Sequence, residues 1–204
     1  MGHATDAEIA DSAWRGLYRV GGVTALIAAV LLPIEIIVFA ILGQPPSTVV
    51  DAFTLFHNNK LFGLLEFDLL GIVIYIFLVP TLLALYVALR RASASFMAIG
   101  TIFIFIGMTV YFASNTSFCM LYLSDQYAAA TTDAQRSMLL AAGQSMFTIF
   151  NVTAFWFSYA IASAAALIIA AVMLRSDIFS RATAYAGILG NALAVGSIAV
   201  GLIA

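Results

Sequence analysis

The chain has 204 residues, of which 64% are hydrophobic and 9% charged, with a formal net charge of -2 and a mean hydropathy of +1.08. A soluble domain is roughly a quarter charged, so this composition excludes a water-covered globule, and so small a net charge offers no basis for a nucleic-acid partner. The single cysteine, Cys119, has no internal partner for a disulfide.

Residues 1–12 are polar and mildly acidic, with Asp6, Glu8 and Asp11, and Arg15 and Arg19 precede the first apolar run. That run, Val20 to Leu42, has 23 residues. It is long for the core of a secretory signal and has no clear small-residue cleavage site, so it reads as a retained membrane helix. Four more runs follow: Leu61 to Leu89, Phe96 to Leu123, Met146 to Leu174, and Ala182 to Ala204. About 20 apolar residues cross a hydrocarbon core of about 30 Å. The expected fold is therefore all-α: a polytopic transmembrane helical bundle of about five helices in one membrane domain. The second, third and fourth runs exceed that length and should tilt or project.

The connections carry their own signals. Gly43 to Pro46 is a breaker cluster. Ser47 is a candidate cap for a short interfacial helix, Thr48 to His57, with apolar Val49, Val50, Phe53, Leu55 and Phe56. Thr132-Asp133-Ala134-Gln135 has the pattern of a capping box, in which a hydroxyl and a carboxamide satisfy each other's free amides. A helix starting there is expected to run through Ala141-Ala142-Gly143 into the fourth span.

Basic residues orient the bundle. Five spans put the first residues and the loops at 90–95 and 175–181 on one side, with Arg15, Arg19, Arg90, Arg91, Arg175 and Arg181. The other side has only Lys60 and Arg136, either of which could act as a counter-ion. Lys and Arg concentrate on the cytoplasmic side, which predicts a cytoplasmic N-terminus and an external C-terminus. Spans two–three and four–five should then form tight antiparallel hairpins, with the short helices on the outer face. Tyr122, Tyr127 and Trp156 fall in the outer headgroup zone, where amphipathic rings are favoured.

Polar groups inside the apolar runs are costly and mark cavities, partners or function. Glu35 lies about 10 Å below the outer boundary, and Glu66 and Asp68 about 8 and 10 Å deep in the second span. Asn115 occupies the outer part of the third span, and Asn151 lies about 8 Å deep in the fourth. Four helices thus place their strongest polar groups at one level, predicting a polar pocket in the outer leaflet over a dry inner half. On a continuous helix Glu66 and Asp68 would point about 200° apart. Asp68, on a face with Gly71 and Tyr75, is expected to face the bundle, and Glu66 to be partly hydrated. Tyr111 and Asn115 share a face of the third span. The candidate ligand-binding residues are Glu35, Glu66, Asp68, Tyr75, Asn115, Asn151 and His57. Against this stands packing alone: Asn115 and Asn151 as interhelical hydrogen bonders, and Tyr75 as core.

Enzyme chemistry has little to build on. The histidines are His3 and His57, with no H-E-x-x-H spacing, no Gly-rich phosphate loop and no G-x-S-x-G elbow. No cofactor or metal is expected. Cys119, with no basic neighbour, reads as a small buried hydrophobe. The last span contains Gly187, Gly190, Gly196 and Gly201. Small residues let helices approach closely in lipid, either within the bundle or between two copies of the chain.

Three stretches carry a family resemblance: Glu66-Phe67-Asp68-Leu69-Leu70 with Pro80 to Tyr86 and Arg90-Arg91; Leu139-Leu140-Ala141-Ala142-Gly143; and Val172 to Ser176 with Phe179 and Ala184 to Asn191. They resemble the bacterial membrane proteins of the domain of unknown function 4386 family. The resemblance implies a small multi-span bundle, often of six helices, in a bacterial plasma membrane, and transfers no catalytic residue.

Three functional classes remain open on the sequence. The first binds or transports a small amphipathic molecule or a cation through the outer polar pocket. The second is a membrane-embedded lipid-modifying enzyme using His57 with a carboxylate. The third is an accessory subunit with the Gly-rich last helix as its contact face. Membrane lipids are partners in all three.

Overall fold

A computed structural model describes residues 14–203, with side chains through residue 200. The acidic stretch 1–12 with His3 and the end of the last span at Ala204 lie outside the described residues, as do the surroundings of Gly201. Among the described residues all regular structure is helical, and five helices are long and apolar enough to cross a membrane.

The first, α1 (Arg15–Leu42), runs unbroken through Pro33. The chain then turns at Gly43, whose φ of 89° lies where a side chain would be strained. Two short helices follow, α2 (Val49–Asn58) and α3 (Lys60–Glu66). Thr48 rather than Ser47 caps α2: its side chain accepts from the Asp51 amide, and Asp51 accepts from the Thr48 amide in return. Hydrogen bonds from Thr48 and Ser47 hold the exposed Asp51 carboxyl below its ordinary value of 3.8. Next come α4 (Leu69–Leu89) and α5 (Ala94–Ser114), then α6 (Ser117–Ala129). The expected capping box opens α7 (Asp133–Thr148), with the Gln135 amide 3.2 Å from Thr132 Oγ1 and the Thr132 amide 3.3 Å from Gln135 Oε1. That helix passes without a loop into a π-helical segment, Ile149–Phe157, and on into α8 (Ser158–Met173). The last helix is α9 (Arg181–Ile203).

Sequence and structure differ in two places. The second apolar run is broken at Phe67–Asp68, and the third at Asn115–Thr116. Neither break contains Gly or Pro; the signals are the weaker ones of Asp68 and of the polar cluster Ser114-Asn115-Thr116-Ser117. The hairpins also differ in tightness. α9 packs closely on α8, but α4 packs mainly on α1, and α5 mainly on α8. Small residues set these pairings, as expected where helices meet in lipid. A Cβ on Gly21 would lie 2.5 Å from the Ala84 Cβ, and one on Gly107 would lie 3.1 Å from the Ser158 carbonyl. Thr24 and Thr81 hydrogen-bond across the α1–α4 contact at 2.9 Å. At the same end, the Arg90 guanidinium sits 5.5 Å over the Trp14 ring.

The helices therefore follow one another in the order α1, α4, α5, α8, α9. The short helices α2, α3 and α6 interlock with α7 as a cap over one end. A core of Phe53, Phe56, Phe67, Met120 and Phe150 fills the cap region. A separate core of Leu89, Met97, Ile104, Met108 and Ile169 fills the opposite half. Large apolar side chains are left outside, among them Leu26, Ile37 and Ile41 on α1 and Leu189, Leu193 and Val200 on α9. A belt of this kind is destabilising in water and stabilising in lipid.

Candidate functional site

The helical break at Phe67–Asp68 builds the site. Asp68 has φ 64° and ψ 40°, the left-handed region, and it caps α4. Asp tolerates this conformation better than most residues because its short side chain can bond locally, and its Oδ1 accepts from the Gly71 amide at 3.1 Å. Gly71 must be small, since a Cβ there would lie 2.4 Å from Asp68 Oδ1. The turn points the Asp68 carboxyl into the bundle, where the residue is 1% exposed.

The other break supplies its partners. The Tyr111 hydroxyl donates to Asp68 Oδ2 at 2.6 Å and lies 3.2 Å from the Asp68 carbonyl. Asn115, which ends α5, donates from Nδ2 to the Tyr111 hydroxyl at 3.2 Å and to the Phe67 carbonyl at 3.3 Å. Its Oδ1 accepts from the Ser117 amide at 3.1 Å. One side chain thus satisfies backbone groups freed at both breaks, where an unpaired buried polar group would be costly.

Glu35 of α1 reaches the same cluster. Its carboxyl interacts with that of Asp68, yet Glu35 Oε1 is buried without a hydrogen-bonding partner. Tyr75 and Tyr159 share a hydroxyl hydrogen bond and face both carboxyl groups. The Tyr75 and Tyr111 rings meet edge-on at 4.6 Å, and Tyr159 stacks on Phe155 at 5.5 Å. The cluster contains no basic side chain. Lys60 is engaged elsewhere, with Asp125 at 2.7 Å on the surface.

Next to the cluster is a cavity of about 510 Å³ lined by Phe39, Glu66, Asn151, Phe155, Trp156 and Tyr159. Ala194 and Ser197 of α9 complete it. It occupies the gap between the two terminal helices of the row, α1 and α9. The π-helical segment supplies much of its wall, since the wider turn places Asn151, Phe155 and Trp156 along it; such segments often occur at functional sites. Asn151 donates its Nδ2 to the Phe147 carbonyl one turn back, at 2.9 Å, so it lines the cavity without bridging helices.

Six of the seven sequence candidates therefore gather in two adjoining places: Glu35, Asp68, Tyr75 and Asn115 in the buried cluster, Glu66 and Asn151 in the cavity wall. His57 departs from them. It lies in a separate surface concavity with Arg136 and Tyr127. Cys119 is also placed differently, being exposed on α6 instead of buried. Tyr159, absent from the candidates, joins the cluster to the cavity. An aromatic residue within an apolar run carries no mark of such a role. Among the described residues no three His, Cys, Asp or Glu side chains converge as metal ligands.

No protein family, no curated protein and no solved structure matches this chain.

Proposed function

We propose that the chain is a polytopic membrane protein that binds a small cationic amphiphile, with its head among the carboxyl groups and its tail in the gap between α1 and α9. The observation that carries this reading is the Glu35 carboxyl, which has a buried oxygen without a partner, beside a second buried carboxyl and no basic side chain. A charged or proton-donating head would supply the missing partner, and hydrogen bonds to charged groups are worth about 1.5–3 kcal/mol. Glu66 extends the same chemistry outward into the cavity wall, which is otherwise largely apolar. The aromatic lining of Phe39, Phe155 and Trp156 suits an apolar tail and a cation against ring faces.

Binding is favoured over conduction through the bundle. Beyond Tyr159 the core of the other half is built on Leu89, Met97, Ile104, Met108 and Ile169, with no carboxylate among the residues that form it. The lipid-modifying alternative required His57 beside a carboxylate, and His57 instead lines the separate concavity with Arg136. Family membership in domain of unknown function 4386, a bacterial plasma membrane, and a cap end facing outward belong to this proposal too, on motif residues and charge asymmetry alone.

The test is titration of the purified chain in lipid nanodiscs with a fluorescent primary alkylammonium, against a neutral alcohol of equal chain length. The cation is expected to bind at least about tenfold more tightly, about 1.4 kcal/mol. Glu35→Gln and Glu66→Gln should each remove most of that preference. Equal affinity for the two probes, or no change in either variant, overturns the reading.

A further inference from the structure

We infer a second, separate ligand site: an oxyanion-binding concavity of the phosphate type on the surface of the cap, formed by Arg136 and His57. The concavity has a volume of about 310 Å³ and is lined by residues of three cap helices, Thr54 and His57 of α2, Ser124 and Tyr127 of α6, and Arg136 of α7. Its floor is the tilted ring pair of Phe53 and Tyr127, with centroids 5.3 Å apart.

Three features point to an anion. Arg136 has no carboxylate partner among the described residues; its guanidinium donates to the Ala130 carbonyl at 3.4 Å, which anchors it across the α6–α7 turn and leaves most of its N–H groups for a ligand. A guanidinium presents five donors in a rigid fork that matches carboxylate and phosphate oxygens. His57, in the last turn of α2, lines the same concavity, and an imidazole N–H can donate to an oxyanion. Finally, no acidic side chain lines the concavity: Asp125, next to Ser124 in sequence, is taken by Lys60 at 2.7 Å. Lys60, also at this end of the molecule, is thus neutralised outside the site, while Arg136 and His57 both line it. The hydroxyl of Tyr127 adds a further donor.

Phosphate chemistry is common to a lipid headgroup and to a free phosphate ester, and the experiment separates the two. The full chain in phosphatidylcholine nanodiscs is titrated with inorganic phosphate by calorimetry. In parallel, native mass spectrometry compares retention of phosphatidylglycerol and phosphatidylcholine. Arg136→Gln and His57→Asn should each weaken anion binding at least about tenfold, Arg136→Lys should weaken it less, and Lys60→Gln should leave it unchanged. Phosphate binding lost in Arg136→Gln identifies a soluble anion as ligand. Selective phosphatidylglycerol retention lost in that variant, without phosphate binding, identifies a headgroup. Should Arg136→Gln unfold, His57→Asn and Arg136→Lys carry the comparison. The inference is overturned if neither probe binds, or if binding survives both Arg136→Gln and His57→Asn. The alkylammonium titration is indifferent to these variants, so the two sites fail or succeed separately.

Discussion

Asp68 combines two demands in one side chain. Its backbone sits in the left-handed region, which costs an ordinary residue about 1–2 kcal/mol, and its carboxyl caps α4 through the Gly71 amide, where loss of a cap costs about 1 kcal/mol. Asn shares both abilities and Ala has neither. Asp68→Asn should therefore retain the fold, within about 1 kcal/mol, while Asp68→Ala should lose about 2–3 kcal/mol, as read by thermal unfolding in detergent. Equal damage from the two would mean that the carboxylate charge, rather than the cap, holds the turn. The acidic character of this place was legible in the sequence, because a carboxylate within an apolar run stands out. Its geometry was not. Glu66-Phe67-Asp68-Leu69 suits a continuous helix, and a single left-handed residue there is imposed by the Tyr111 and Asn115 partners that reach it from another helix.

At the scale of elements, the polar cluster sits where helices are interrupted. α3 stops before Asp68, α5 stops before Asn115, and the π-helical segment widens the helix opposite them. Interruptions free backbone groups, and polar side chains recover them: Asn115 bonds the Phe67 carbonyl, and Thr116 Oγ1 donates to the Met146 carbonyl at 2.9 Å. The uninterrupted helices are held differently, by close contact. Gly21→Ala should separate α1 from α4, because its Cβ would lie 2.5 Å from the Ala84 Cβ and 3.0 Å from the Pro80 carbonyl. A loss of about 1–3 kcal/mol is expected for such overpacking, together with a weakened ammonium site, since α1 carries Glu35. Gly190→Ala is the matched control, because nothing lies within 4 Å of its added Cβ; thermal unfolding of the pair decides the point. Of the glycines expected to tighten the last helix, Gly187 approaches Ala170 of α8, whereas Gly190 and Gly196 face open space. Composition could not tell these apart, because small residues serve packed and open faces alike.

For the whole molecule, the two ends differ in charge and in build. The basic end has the two arginine-bearing hairpin loops, and the other end has the helical cap with the cavity and the Arg136 concavity. The charge bias predicts that the cap faces outward. In a Cys119→Ser background, Ala134→Cys on the cap should react with a membrane-impermeant maleimide in intact cells, and Asp177→Cys in the last hairpin loop should react only after lysis. The reverse pattern would invert the topology and bring both sites to the cytoplasmic side. By itself the sequence determined the helical class, the number of long apolar helices and the level at which carboxyl groups gather. These follow from local properties, since hydropathy and run length act residue by residue along one helix. Tertiary structure alone decided which groups meet. Asp68 faces Tyr111 and Glu35, Tyr159 links them to the cavity, and His57 joins Arg136. Those pairings depend on where helices break and which neighbours they choose, and in an apolar chain both are settled by a few small and polar side chains reaching across from other helices.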